Sequence, residues 1–515
     1  MLYPAPVNDS APSWRIAVLW FLLALVAGLL FAHAAVPGIA PASDLWDHSQ
    51  AARQIARGEG FTSLYTYPLF LGQDQPPFPI RWRMPLYALL GALLLKLRIA
   101  LPGGFLSLGA VAHGLLVALT YWLGARLHSA RVGSWAAACA LLCPLLLNFY
   151  NPGLSQGPAA VLDLVVWILL LGSGGALGAG LAAVAAAGAW HLRIESLLFV
   201  PIWFWVAARR ESGGSWRWPR AATFLVVYVA LCLPWFLVSH RARGAFDIHP
   251  MLLYTAEYPG YSSSRTLGAN LPGPLQFVSS HLGAFALRFV KDAAGYLIDV
   301  LDGFGPLAIG IAVAGALWGG FNREIIRRHA PLFVAVGLQI LAMSALERNP
   351  LFLIPIVPLI LVLLGIAAAP ALGRVRHGRA LTALLLVIAL ERGGRLLYQR
   401  ADAARRFPPV PADTAPELMK RAPGWPRAGL LLSDAPDWIA WYLDRPALLL
   451  PLRAQLDSLA ATRPVSAIWL SPGARARNVA DGDTAWVGVM DRGEHLRGFS
   501  GPEAMSGGSS LYVRR

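Results

Sequence analysis

Asp44-Leu-Trp-Asp47-His48-Ser-Gln-Ala-Ala-Arg-Gln-Ile-Ala-Arg57-Gly58-Glu-Gly60-Phe61 begins eight residues after the apolar run Ile16–Ala35 ends. Asp44, His48, Ala52 and Ile55 recur at helical spacing, and Gly58 and Gly60 stop the pattern as C-terminal glycines do. An apolar span followed at once by acidic residues on a short helix predicts a polar site at a membrane surface.

Composition agrees. The 515 residues are 56% hydrophobic and 14% charged, well below the charged fraction of about 25% usual in soluble domains, so the chain reads as an integral membrane protein. A net charge of +15 could suggest nucleic acid, but the arginines lie beside apolar spans, and no nucleic-acid partner is expected. Cys139, Cys143 and Cys232 sit in apolar segments without zinc spacing or a disulfide framework.

Eleven spans are predicted: Ile16–Ala35, Phe105–Ala125, Val132–Phe149, Gly157–Ser173, Ala176–Trp190, Leu197–Ala208, Ala221–Val238, Phe304–Phe321, Pro331–Ala345, Leu351–Ala369 and a weaker Ala380–Leu390. Met84–Leu95, short and ending at Lys96 and Arg98, reads as an interfacial or re-entrant helix. With a cytoplasmic N-terminus, the arginine clusters at 126–131, 209–220, 323–328 and 374–379 all fall on the cytoplasmic side, as the positive-inside rule requires. The first dozen residues carry no cleavage site, so the first span is expected to be a retained anchor.

The predicted division is a membrane domain over 1–399, with a first outer loop at 37–83 and a long outer loop at 240–302, and an outer tail domain over 400–515. In the tail, Gly429–Ser433, Ala447–Leu450, Ser466–Leu470, Trp486–Met490 and Ser510–Val513 read as strands, and Asp437–Leu443 and Arg453–Leu459 as helices. The long loop, with Tyr254, Tyr258 and Tyr261, suits a flap over an acceptor.

The first-loop run resembles the polytopic GT-C glycosyltransferases that use polyprenyl-phosphate sugars. In many bacterial members that loop carries Asp, an aromatic four residues on, Ala at the eighth place, then Gly-x-Gly-aromatic. Asp44, Ala52, Gly58, Gly60 and Phe61 hold those offsets, and His48 is the departure. The nearest branches are the family 39/83-like transferases, related to protein O-mannosyltransferases and the lipid A aminoarabinose transferase. The resemblance covers about Trp14 to Leu390 and implies an α-helical polytopic membrane fold of GT-C type with a small C-terminal α/β domain outside the cytoplasm. It implies transfer, with inversion, of a sugar from a polyprenyl-phosphate donor to a lipid, glycan or protein acceptor at the periplasmic face of a bacterial inner membrane.

Such a reaction needs a carboxylate to take the acceptor's proton and cations to hold the leaving phosphate. The resemblance makes Asp44 the base, against the plainer role of capping its helix. Asp47 and His48 read as a solvated helix face more readily than as metal ligands. Arg83-Met-Pro85-Leu-Tyr87 is similar to the family's cation followed by Pro-Pro-Leu-Tyr, which puts Arg83 at the donor phosphate, while Arg81 is as readily a snorkelling arginine. Where relatives carry a second acid, Asn151-Pro-Gly-Leu-Ser-Gln156 offers Gln156, with Asp163 deeper in the span. Asp163 would face an acceptor or metal site, or bond a neighbouring helix.

Arg193-Ile-Glu195 is similar to a family Arg-x-Glu; a local salt bridge is the simpler reading and phosphate contact the sharper one. Glu347-Arg348-Asn-Pro-Leu-Phe resembles the late Arg-aromatic entry into a span, which would bring Arg348 to the donor. No cofactor is assigned with certainty, and Asp47, His48, Gln156 and Asp163 leave room for an acceptor or a divalent metal. Two other readings stay open: a transporter or lipid flippase, suggested by Asp163 and the broken apolar segments, and a non-catalytic membrane assembly factor. Transporters usually show paired halves, and no such repeat is found.

Overall fold

The computed structural model describes residues 12–35, 44–72, 74–80, 82–147, 153–172, 175–209, 216–243, 264–267, 274–346, 348–375, 378–406 and 413–515. The chain divides into two compact units. One is the helical membrane unit, 1–33, 106–246 and 285–400; the other gathers 34–105, 247–284 and 401–515. The first loop therefore folds with the tail, so this second unit is larger than the 400–515 domain expected from the sequence. The reason is main-chain pairing over long sequence separation, which no local pattern announces.

In the second unit, the tail supplies β4 (Leu430–Ser433), β5 (Ala447–Leu449), β6 (Val465–Leu470), β7 (Phe499–Ala504) and β8 (Ser510–Arg514). The first loop contributes β1 (Thr62–Ser63), β2 (Tyr65–Thr66) and β3 (Phe78–Pro79). β1 and β3 form a small antiparallel pair, whereas β2 joins the main sheet, ordered β2-β5-β4-β6-β8-β7. β2, β5, β4 and β6 run parallel, with Tyr65 opposite Ala447, Leu431 opposite both Ala447 and Ala467, and β8 antiparallel to β6.

Both faces are covered at the central strands β4 and β6, which are mostly apolar and buried along their whole length, as buried parallel strands are. Leu431, Ala467 and Trp469 face one core, shared with Trp46, Tyr65, Trp82 and Trp438. Leu430, Leu432, Ile468 and Leu470 face the other, with Leu71, Phe78 and Trp486. The strands at 430–433, 447–449, 465–470 and 510–514 and the helices Pro436–Leu443 and Leu456–Thr462 stand where the sequence puts them. The expected strand Trp486–Met490 is instead a helix, Thr484–Arg492. Asp483 caps it by accepting from the Trp486 N–H, Gly493 closes it in the left-handed region, and Trp486 and Val489 are buried at helical spacing. A short apolar run cannot by itself separate strand from helix.

Among the described residues four helices are long and apolar enough to cross a bilayer: Trp14–Ala32, Gly103–Leu127, Trp218–Ser239 and Leu282–Gly320. Shorter apolar helices include Gln156–Leu170, Ala176–Leu192, Ala330–Leu346 and Val357–Gly373. Several predicted spans are broken. Val132–Phe149 divides into Ala130–Leu141 and the turn Pro144–Leu147, and Leu197–Ala208 begins as a 3₁₀ turn, Ile194–Phe199, before Val200–Ala208. Pro144 and Pro201 at the restarts account for both, since proline is placed best in a helix's first turn. Close packing relies on small residues: a Cβ on Gly124 would stand 3.0 Å from the Gly133 Cα. Leu177, Val226, Leu287 and Leu317 are strongly exposed, the expected face toward lipid in a multi-pass membrane protein.

The long loop expected over 240–302 is partly helix. Trp218–Arg243 runs into it, and Leu282–Gly315 occupies its last third. Arg288, Lys291, Asp292 and Asp299 depress the hydropathy there, yet Asp292, Gly295 and Tyr296 form a buried stripe at helical spacing. Tyr254, Tyr258 and Tyr261 lie outside the described residues. The same long helix breaks at Gly305 (φ 68°) before Pro306. Arg392 donates to the Gly303 carbonyl and Arg395 Nη1 to the Asp302 carbonyl at 2.7 Å, so carbonyls by the break have partners. Both arginines belong to Gly378–Arg406, which extends well past the predicted weak span at Ala380–Leu390.

Candidate functional site: an acid–arginine cluster on the first-loop helix

The helix Asp44–Arg57 puts two acids in its first turn, where the helix dipole favours them, and Arg57 in its last. It ends in a Schellman arrangement: Gly58 N–H bonds the Ile55 carbonyl at 3.1 Å and Glu59 N–H the Gln54 carbonyl at 3.0 Å. Gly58 has φ 86°, a conformation glycine adopts at no steric cost.

The tail holds this helix in place. Arg53 donates to the carbonyls of Ala440 (2.9 Å) and Trp441 (2.8 Å), the last turn of Pro436–Leu443, and its guanidinium lies over the Trp441 ring. Arg57 makes a two-pronged contact with Asp444 at 2.8 and 3.0 Å, and Gln50 Nε2 reaches the Asp437 carbonyl at 3.3 Å. Trp46 packs on Tyr442 and Trp441.

At its other end the helix meets Trp82-Arg83. Arg83 Nε donates to Asp47 Oδ2 at 2.5 Å, its Nη2 donates to Asp44 Oδ1, and Trp82 Nε1 also donates to Asp47 Oδ2 at 3.0 Å. The side chains are 3% exposed for Asp47, 18% for Arg83 and 34% for Asp44, so only Asp44 opens substantially outward. Burial opposes the Arg83 charge, but Asp44 and then Asp47 outweigh it and hold the guanidinium protonated more firmly than usual. Burial, and after it the charge of Asp47, pushes the Tyr65 and Tyr67 phenols well up, so both stay neutral. Two carboxylates share one guanidinium, and the three groups sum to one negative charge.

Asp47 and His48 do not form the solvated face expected of them; both are buried. Asp47 lies beneath Trp82. The His48 ring packs edge-on to Tyr87 at 4.8 Å and against Phe105 at 6.3 Å. A four-residue helical period rotates neighbouring positions onto different contacts, and α-helix Pro85–Lys96 covers the His48 side. Among the described residues no three of His, Cys, Asp and Glu come together as metal ligands. Asp44 and Asp47 with a guanidinium between them do not make a coordination sphere.

The remaining sequence candidates belong to the membrane unit. Gln156 opens Gln156–Leu170 and is buried, as is Asp163, which accepts from Ser196 Oγ at 3.5 Å. Arg193 closes its turn on Glu195, with Nε to Oε2 at 3.1 Å, and stands over the Phe352 ring at 5.9 Å. Arg348 pairs through its fork with Asp299, at 3.1 and 2.7 Å. Tyr296 accepts from the Asn349 N–H at 2.9 Å, fastening the same turn. Asp299 went unnoticed in the sequence, although 292, 296 and 299 share one helical face. Arg81, Asn151 and Glu347 lie outside the described residues.

No protein-family model and no curated protein matches the chain. Solved structures do. The structure of ArnT from Cupriavidus metallidurans bound to undecaprenyl phosphate superposes with a TM-score of 0.57 at 12% identity, covering 96% of this chain and 98% of that one. The chain has the GT-C fold. The Archaeoglobus fulgidus oligosaccharyltransferase in complex with Zn and sulfate matches with a TM-score of 0.56 at 13% identity, over 97% of this chain and 73% of that one. The arabinofuranosyltransferase AftD from Mycobacteria matches at 0.52 and 17% identity, over 98% of this chain and 40% of AftD. At these identities the likeness is one of fold, and it spans nearly the whole chain.

Proposed function

We propose that the protein is a membrane glycosyltransferase that moves one sugar from a polyprenyl-phosphate donor to a lipid, glycan or protein acceptor, with inversion. The observation that carries this reading is the Asp44–Arg83–Asp47 cluster: a carboxylate held by a buried guanidinium, partly open to solvent, on a GT-C fold. In the reaction the acceptor oxygen or nitrogen forms a bond to the anomeric carbon as the bond to phosphate oxygen breaks. Asp44 accepts the acceptor's proton, and the polyprenyl phosphate leaves with the bonding electrons. Arg83 orients Asp44 and offers its remaining edge to the phosphate, and Arg193 and Arg348 are the further donor-phosphate candidates that the family resemblance implies. Gln156 and Asp163 serve the acceptor side. Asp47 fixes Arg83 and is a positioning residue. No step is assigned to a metal.

The proposed location is a bacterial inner membrane, with 400–515 and the first loop on the periplasmic side and the arginine-rich short loops in the cytoplasm. Radiolabelled sugar transfer from a polyprenyl-phosphate donor in membranes tests the activity, and its absence with a panel of donors overturns it. Reporter fusions after Arg217 and Arg376 should read cytoplasm, and those after Tyr258 and Asp444 periplasm. A cytoplasmic signal at Asp444 would overturn the topology.

A further inference from the structure

The short basic loops of the membrane unit converge on a cavity of about 370 Å³. Arg126, Arg209, Arg217, Arg220, Arg328 and His329 are among its lining residues, and among the described residues no carboxylate lines it. In sequence, the segments 126–131, 171–176, 209–220 and 322–329 hold nine arginines against two glutamates, Glu211 and Glu324. Such convergence of like charge is costly without an anion to receive it.

Two of these arginines have structural duties. Arg220 Nη2 donates to the carbonyls of Leu169 (3.3 Å), Leu170 (2.6 Å) and Gly172 (3.3 Å), satisfying the end of Gln156–Leu170. Arg209 reaches the carbonyls of Arg328 at 3.2 Å and Arg327 at 3.5 Å. Arg126 and Arg328 make no ion pair with any described carboxylate. Arg126 lies across Gly172, where a Cβ would come within 2.8 Å of its Nη2, so the chain leaves room for the guanidinium to enter. The buried His329 imidazole is pushed down to about 4, by burial first and then by Arg328, His128 and Arg209. The ring is thus neutral near pH 7, and the pocket's field repels a further proton.

Leu127, Leu170, Leu171, Val206 and Leu332 line the same cavity. A lining that combines several guanidinium forks with apolar side chains fits a phosphate ester better than a small inorganic anion alone. We propose that this cavity binds the phosphate of an anionic ligand, supplied either by a phospholipid headgroup or by soluble phosphate, through Arg126 and Arg328. The apolar side chains in the lining favour the lipid.

The test uses the full chain in nanodiscs of phosphatidylcholine, with and without phosphatidylglycerol, reading lipid retained per protein by native mass spectrometry together with the unfolding midpoint. Wild type should retain phosphatidylglycerol selectively and unfold at a higher temperature with it. Arg126→Ala combined with Arg328→Ala should weaken retention about thirty-fold, while Arg374→Ala, whose guanidinium stacks on Trp318, should not. The double Lys variant keeps the charge and should recover part of the effect, and unfolding in phosphatidylcholine alone shows whether each variant folds. If inorganic phosphate in phosphatidylcholine gives the arginine-dependent shift and phosphatidylglycerol adds nothing, the site stands with soluble phosphate as its ligand. Equal retention by wild type and double Ala variant, with no phosphate effect in either, overturns the site. None of these readouts depends on sugar transfer.

Discussion

The first-loop cluster and the Arg348–Asp299 pair contain the same chemistry in opposite proportions. At the cluster two carboxylates share Arg83, whereas at the pair one carboxylate meets one arginine. The cluster is buried on its Asp47 side and keeps a net negative charge that Asp44 carries outward; the pair is neutral and its arginine is 39% exposed. A balanced, exposed pair contributes little to stability and fastens a turn. An unbalanced, half-buried cluster holds a carboxylate in place without cancelling it, which is what a positioned proton acceptor requires.

The largest expected effect is that of Asp44→Asn. Asn keeps the shape and the polar contact of the first turn, so insertion and unfolding should match wild type while transfer falls by about 10²–10⁴-fold. Near-normal turnover would erase the contrast and make the cluster structural. Asp47→Ala acts on the buried half. It strips Arg83 of a deeply buried partner, and breaking a buried pair costs about 3–5 kcal/mol. A lowered unfolding midpoint should accompany any loss of activity, and unchanged stability would show that Arg83 does not depend on Asp47.

Lysine at Arg83 separates charge from geometry. One ammonium cannot reproduce the fork that meets Asp47 and Asp44 together, so donor dependence should weaken and turnover fall, with Ala worse. Arg348→Lys should lower turnover without a measurable change in stability, since the pair with Asp299 is worth about 0–1 kcal/mol. Wild-type donor kinetics in both Lys variants would remove both arginines from the phosphate. The smallest effect is expected from chelation. EDTA should change transfer little, because two carboxylates around a guanidinium hold a divalent ion weakly; complete loss restored by one metal would assign Asp44 and Asp47 as ligands.

Several elements were legible locally. Glycine at 58 and 60 announced the end of the first-loop helix, and the short, mostly apolar runs Leu430-Leu-Leu-Ser433 and Val465–Leu470 announced strands buried along their whole length. Thr484–Arg492 was not, because Trp486–Met490 is too short an apolar run to show its period. Leu282–Gly315 was masked by its own charges: Arg288, Asp292 and Asp299 look like loop residues until each finds its partner in Leu346, Arg288 and Arg348. The meeting of Arg83 with Asp44 and Asp47 had a signal in the separate motifs, but their contact did not.

The sequence by itself determined that the chain is a multi-pass membrane protein, that an acidic helix follows the first span, and that a small α/β region forms its end. These follow from periodicity, charge placement and turn residues, all of which act over a few residues. Only the tertiary structure decided that β2 adds to the tail sheet, that Arg53 and Arg57 anchor the acidic helix on residues 440–444, and that one guanidinium joins two carboxylates. Those contacts join positions tens to hundreds of residues apart. Their stability depends on burial and on closing main-chain and charge pairing, which exist only once the chain has folded.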